Sequence, residues 1–192
     1  MRNMSNLIIE YKKTLPNILC EDIIEKFEEN KEENHQIYKF IIPKNEPEWK
    51  KIETIIYKEL LKKINEYKSY IINNNLNDET NNLLLLLTNS LYIKDFIIQK
   101  YTTEKKTIEE NMIFKNNRTN NRYNVLSFIY FLNDIENGGY IAFGNQTNIK
   151  SETGKLLIFP ENINYFHKVY FPTAGSPQYI ISGQLCFENI IL

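Results

Sequence analysis

From Asn124 onward the chain is a succession of short apolar runs, rich in Ile, Phe and Tyr, separated by Asn, Gly and Pro. The runs are NVLSFIYFLND from Asn124, GGYIAF from Gly138, GKLLIFP from Gly154, YFH from Tyr165 and QYIISG from Gln178. This alternation predicts successive antiparallel strands of a β core, with Gly138-Gly139 as a hairpin connection. The N-terminal half has a different period. Leu19, Ile23, Ile24 and Phe27 recur at helical spacing, with Asn17 placed to cap and Glu21 and Asp22 placed where the helix dipole favours acid. His35 to Pro43 alternates like a strand ended by proline. Pro47 opens a longer helix on which Ile52, Ile55, Ile56, Leu60, Ile64, Tyr67 and Ile71 recur at steps of three and four, and the stretch from Asn73 to Asn82 ends it. Leu83 to Leu87 and Leu91 to Tyr101 are apolar enough to predict strands, and Thr102 to Tyr123 reads as polar and irregular.

Helices first and strands afterwards predict an α+β, mainly β fold, in which two N-terminal helices cover one face of a largely antiparallel, curved double sheet or jelly roll. The expected organisation is a single domain over residues 1–192, with a helical part over about 1–82 and a β core over about 83–192.

Composition narrows the possible partners. The 192 residues are 42% hydrophobic and 13% aromatic, enough for a packed core, and the formal net charge of -1 offers neither a nucleic-acid footprint nor a polybasic membrane patch. The two cysteines, Cys20 and Cys186, lie near opposite ends and read as free buried thiols. The start lacks the apolar run of a signal peptide and no stretch has the length of a membrane span, so a cytoplasmic protein is expected. Clusters of Asn (73–75, 81–82, 116–117, 120–121) mark loops. Neither a Gly-x-Ser-x-Gly elbow, a phosphate-binding Gly loop nor a Cys/His zinc pattern occurs.

The strand segments SFIYFLND from Ser127, Gly138-Gly139 with Phe143, GKLLIFP from Gly154, His167 and YIISG from Tyr179 resemble the Fe(II)- and 2-oxoglutarate-dependent dioxygenases of the prolyl 4-hydroxylase type. Upstream, LPNILCEDII from Leu15 is similar to the opening helix of that family, and IQKY from Ile98 to the strand that leads to its metal motif. The resemblance covers most of the chain and implies a double-stranded β-helix, a cupin-like jelly-roll core. The short, Asn-rich version is similar to homologues of giant DNA viruses, which implies a host cytoplasm or a virion.

The resemblance also implies a chemistry against which the residues can be tested. Such oxygenases hold iron through two histidines and a carboxylate, the first pair arriving as His-x-Asp after the strand that here ends at Tyr101. The corresponding window, EENMIFK from Glu109, has no His and no Asp. His167 stands at the remaining ligand position, and Glu109 and Glu110 are carboxylates that could reach a cation. His35, the other histidine of the chain, lies in the N-terminal part. The family places a Lys or Arg before the last strand to balance the distal carboxylate of 2-oxoglutarate, and Gln178 stands there instead; Tyr101 matches a tyrosine near the co-substrate. Lys155 and Arg122 are the alternative cations.

With the His-x-Asp pair and the basic anchor both missing from their places, the expectation is a degenerate oxygenase that needs no cofactor and acts as a binding or structural protein with a protein partner. The alternative is an active 2-oxoglutarate-dependent oxygenase that uses Fe(II) at a non-standard site built from His167, Glu109 or Glu110.

Overall fold

The computed structural model describes residues 7–30, 38–74, 78–87, 91–103, 122–144, 147–161 and 165–188. In chain order its elements are β1 (Ile9–Tyr11), α1 (Asn17–Glu29), β2 (Tyr38–Ile41), α2 (Pro47–Asn74), α3 (Asp78–Leu87), β3 (Tyr92–Ile93), β4 (Ile97–Tyr101), β5 (Arg122–Phe131), β6 (Tyr140–Phe143), β7 (Thr147–Lys150), β8 (Leu156–Pro160), β9 (His167–Tyr170) and β10 (Gln178–Glu188).

The strands form a large sheet in the order β1-β8-β5-β10-β4-β2, with β3 also paired to β10, and a three-stranded sheet β7-β6-β9. Every recorded pairing is antiparallel. The sheets meet face to face where Phe143 of β6 packs edge-on against Phe159 of β8, 4.9 Å between ring centres, and where Phe171 stacks on Tyr101 at 4.9 Å. Helices cover the opposite face of the large sheet: Phe27 of α1 packs edge-on against Tyr179, and the Tyr130 hydroxyl donates to the Ile56 carbonyl of α2. This is the α+β jelly roll the sequence predicts.

The helices follow from their apolar spacing. On α1 Cys20, Ile23 and Phe27 are buried, and on α2 Trp49, Ile52, Ile56, Leu60, Ile64, Tyr67 and Ile71 are, so one stripe of each faces the sheet. Ile55, adjacent to the stripe in sequence, is exposed. Pro16, not Asn17, occupies the cap of α1, and its carbonyl accepts from the amides of Leu19 and Cys20. Glu21 and Asp22 therefore fall beyond the first turn, which carries no acid.

Three expectations need correction. Leu83 to Leu87 is not a strand but the end of a third helix, with Leu83 and Leu87 buried four residues apart and Leu85 exposed. A run of five leucines has no period of its own, and leucine favours the helix over the strand. The stretch from Leu91 to Tyr101 is two strands, not one. Ser182 pairs with Ile97 and Leu185 with Ile93, so two intervening residues on β10 face three on the other side, and the extra residue is a bulge. It pushes the Asp95 carbonyl toward Gly183, where a Cβ would stand 2.6 Å from that oxygen and 2.5 Å from the Phe128 ring. Finally, the N-terminal part contributes an unexpected strand, β1, at one edge of the sheet, while β2 at the other edge falls within the strand expected over His35 to Pro43.

The N-terminal segment is fastened to the barrel by polar contacts. Gly154, at φ 73°, accepts from the Thr14 amide and hydroxyl and the Leu15 amide, and a Cβ there would lie 2.2 Å from the Leu15 carbonyl oxygen. Beside it Lys155 is 1% exposed, and its ammonium donates to the Lys150 carbonyl at 3.0 Å, Glu10 of β1 at 2.8 Å and Glu152 at 2.6 Å. All three N–H donors are thus used. The pairing holds the Glu152 carboxyl below its ordinary range, the hydrogen bond from Lys155 being the largest cause. Among the described residues no helix is long and apolar enough to cross a membrane.

The burial of Lys155 predicts an asymmetry in urea denaturation. Lys155→Met leaves two carboxylates whose side chains are 36% and 43% exposed, and lowers stability by about 1–3 kcal/mol. Glu10→Gln combined with Glu152→Gln strands a buried ammonium and costs about 3–5 kcal/mol. A smaller loss for the glutamine pair than for Lys155→Met would contradict this assignment.

Candidate functional site

Alternation along the strands sends every second side chain of the large sheet toward the small one. On β10 these are Gln178, Ile180, Ser182 and Gln184, on β4 Ile97, Gln99 and Tyr101, and on β5 Ser127 and Ile129. At one end of the barrel they enclose a cavity of about 250 Å³, into which Gln99, Ser127, Ser182, Gln184, Phe159 and His167 project, with the exposed Lys39 and Lys94 at its rim.

His167 opens β9 opposite Phe143 and is 6% exposed, its ring 4.8 Å from that of Phe159 and 5.4 Å from that of Phe143. Neither ring nitrogen has a hydrogen-bond partner of good geometry among the described residues. Burial pushes its pKa down to about 4, with the backbone at Tyr165 opposing part of the effect. The imidazole is therefore neutral at pH 7 and keeps one N–H and one lone pair.

Among the described residues, the others singled out from the sequence do not join it. Tyr101 and Gln178 are cross-strand partners, each 0% exposed, and neither lines the cavity. Tyr101 is covered by Phe171, while the Gln178 amide nitrogen donates to the Gly139 carbonyl at 3.2 Å and its oxygen has no partner among the described residues. Lys155 is neither a surface lysine nor a cavity residue; its ammonium is taken by Glu10, Glu152 and the Lys150 carbonyl. Arg122 begins β5 opposite Glu188, and its side chain lies outside the described residues, as do Glu109, Glu110 and His35. Among the described residues no three His, Cys, Asp or Glu side chains gather as a metal site would require.

Sequence reasoning missed a polar lining. Glu161, just beyond β8, accepts a short hydrogen bond from the Ser127 hydroxyl and another from the Gln184 amide at 3.1 Å. Burial raises its pKa to about 7, the Gln184 donation acting the other way. The Ser182 hydroxyl donates to the Gln99 amide oxygen at 2.8 Å. A signal was present: polar residues recur at period two in QYIISGQ from Gln178, on the face that also carries Ile180.

No protein-family profile and no curated protein matches this sequence. Solved structures do. A viral collagen prolyl hydroxylase from Paramecium bursaria Chlorella virus-1, in complex with 2-oxoglutarate, is 13% identical with a TM-score of 0.68, covering 94% of this chain and 96% of that one. A Pseudomonas putida prolyl-4-hydroxylase is 14% identical with a TM-score of 0.57, covering 95% and 94%. A Trichoplax adhaerens prolyl hydroxylase in complex with a hypoxia inducible factor peptide is 15% identical with a TM-score of 0.56, covering 94% and 84%. The chain has the prolyl 4-hydroxylase-like oxygenase fold, so the likeness legible in the strand motifs holds at the level of fold.

His167, in the cavity lining, and Glu161, bonded to the lining residues Ser127 and Gln184, act on stability with opposite signs. Glu161 has a folded pKa above its ordinary 4.5, so between about 4.5 and about 7 the folded state holds a proton that the unfolded state has lost, and stability falls as pH rises. His167 has a folded pKa below its ordinary 6.5, so between about 4 and about 6.5 the unfolded state holds the extra proton, and stability rises with pH. Each contribution is of order 3 kcal/mol, and they offset one another in the native protein. Denaturation measured from pH 4 to pH 8 is expected to show stability rising with pH in Glu161→Gln and falling in His167→Phe. Variants that both follow the native profile would refute the two assignments.

Proposed function

We propose that this protein is a catalytically degenerate relative of the Fe(II)/2-oxoglutarate dioxygenases and works as a binding or structural protein. The observation that carries the reading is Gln178. It occupies the place of the basic anchor, is fully buried, and holds the Gly139 carbonyl rather than a charge. Lys155, one of the two alternative cations, is occupied by two carboxylates.

The residues present do not fit the implied pair of iron and 2-oxoglutarate. One imidazole, His167, faces the cavity, and the window that should supply His-x-Asp reads EENMIFK in sequence. At the position where the resemblance expects the anchor there is a neutral amide, buried and outside the cavity lining, and a buried carboxylate without a charged partner is disfavoured by several kcal/mol.

A protein partner suits the surface. The neighbour from Trichoplax adhaerens holds a peptide. In this chain β2 ends the large sheet with Ile41 exposed, an edge along which an extended segment could add a strand. The short, Asn-rich version of the fold resembles homologues of giant DNA viruses, and a virion is the setting we propose for such a role.

Metal and co-substrate binding tests the reading. The protein is prepared anaerobically with Fe(II) or Mn(II) and 2-oxoglutarate, and metal content and melting temperature are measured. A site filled at a hundred times its Kd would add about 2.7 kcal/mol, several degrees in a domain of this size. The expected result is substoichiometric metal and no co-substrate-dependent shift. Stoichiometric metal with a shift that His167→Ala abolishes would establish an active site of non-standard composition instead.

A further inference from the structure

We infer that the barrel cavity beside His167 is a binding site for a small uncharged ligand that presents a hydrogen-bond donor next to an acceptor, as adjacent sugar hydroxyls or a cyclic amide do. The inference rests on the degenerate reading of the site and names what the altered barrel would hold.

The unused hydrogen-bonding capacity of the lining sets the chemistry. His167 offers one N–H and one lone pair, neither engaged among the described residues. Gln99 has its amide oxygen occupied by Ser182, which leaves its N–H₂ as donor. Gln184 has its amide nitrogen occupied by Glu161, which leaves its carbonyl oxygen as acceptor. Donors and acceptors thus face the cavity together, and the buried ring nitrogens of His167, without a partner of good geometry among the described residues, are disfavoured until a matching ligand bonds them.

Charge excludes the alternatives. An anion would find no interior cation among the described lining residues, since Lys39 and Lys94 are exposed at the rim. A cation would find the lining carboxylate, Asp95, already paired with Lys44 at 3.7 Å, and Glu161, bonded behind the lining, with both oxygens accepting from Ser127 and Gln184. The apolar wall formed by Phe159 and Ile129 offers a flat surface to a ring. At about 250 Å³ the space is below the range of about 300–1,000 Å³ usual for drug-sized ligands, so a single ring is the expected size.

The test is ligand-observed proton saturation-transfer NMR on the full chain with three probes at millimolar concentration: D-ribose for the hydroxyl pair, uracil for the cyclic amide, and glutarate as a dianion of similar size. The expected result is a signal from ribose or uracil, telling the two sources apart, at least tenfold stronger than that from glutarate. It should vanish in His167→Phe, which removes both ring nitrogens. It should also vanish in Ile97→Trp, which fills the cavity from a half-buried position without touching His167; melting curves establish that each variant is folded. Silence from both neutral probes, equal binding of glutarate, or a signal that survives in a folded Ile97→Trp protein would overturn the inference. Mn(II) with 2-oxoglutarate is run on the same sample. Its binding would overturn the degenerate reading and this inference with it, whereas silence from all probes would overturn this inference alone.

Discussion

The constraint on which the structure depends is the position of β10 in the middle of the large sheet. It pairs with β5 along almost its whole length and with β4 and β3 on the other side, so neither its backbone nor its two faces meet bulk water freely. The face toward the helices is filled by Tyr179, Ile181 and Leu185, all buried. The opposite face carries Gln178, Ser182 and Gln184. Polar groups in such a place must be bonded or must face a cavity. Here they do both: Gln184 and Ser182 are held by Glu161 and Gln99, and the space they leave is the cavity beside His167.

Among the described residues the barrel interior is polar, and its charged side chains are paired or stand at the rim. The ammonium of Lys155 is neutralised where β1 and the N-terminal segment join the barrel, so its charge ties down a strand instead of facing a ligand. His167 is driven toward its neutral form by burial, and Glu161 toward its protonated form by the same cause. An oxygenase of this fold would need the opposite arrangement, an interior that concentrates charge around a metal and a dicarboxylate. In the degenerate reading we propose, this difference between a charged and a neutral polar interior is what separates the site from that of an oxygenase.

Much of the fold was legible in the chain. The strands of the second half announce themselves through alternating apolar runs cut by Gly, Asn and Pro, and α1 and α2 through apolar steps of three and four, because both signals are properties of local periodicity. Where periodicity fails, the reading failed with it. Five leucines at 83–87 have no alternation to distinguish helix from strand, and β1 is only three residues long, recognisable as a strand because β8 pairs with it. The bulge between β3 and β4 left no local mark apart from Gly183, which is required only because the Asp95 carbonyl arrives from another strand.

For the site, the sequence by itself determined which chemical groups are available: a neutral amide at Gln178, where the resemblance expects a base, one histidine among the core strand segments, and no His or Asp in the EENMIFK stretch from Glu109. Residue identity alone settles these matters, since an amide cannot balance a charge wherever it lies. What each group does was decided by tertiary structure. Lys155 had the right charge to serve as an anchor, but Glu10 and Glu152 reach it first, from positions 145 and three residues away. Glu161 bears no mark in the sequence; Ser127 and Gln184, brought from two other strands, close on it. Burial and partnership are long-range properties, set by which strands meet, and they turned one available cation into a fastener and one unremarked carboxyl into part of a polar pocket.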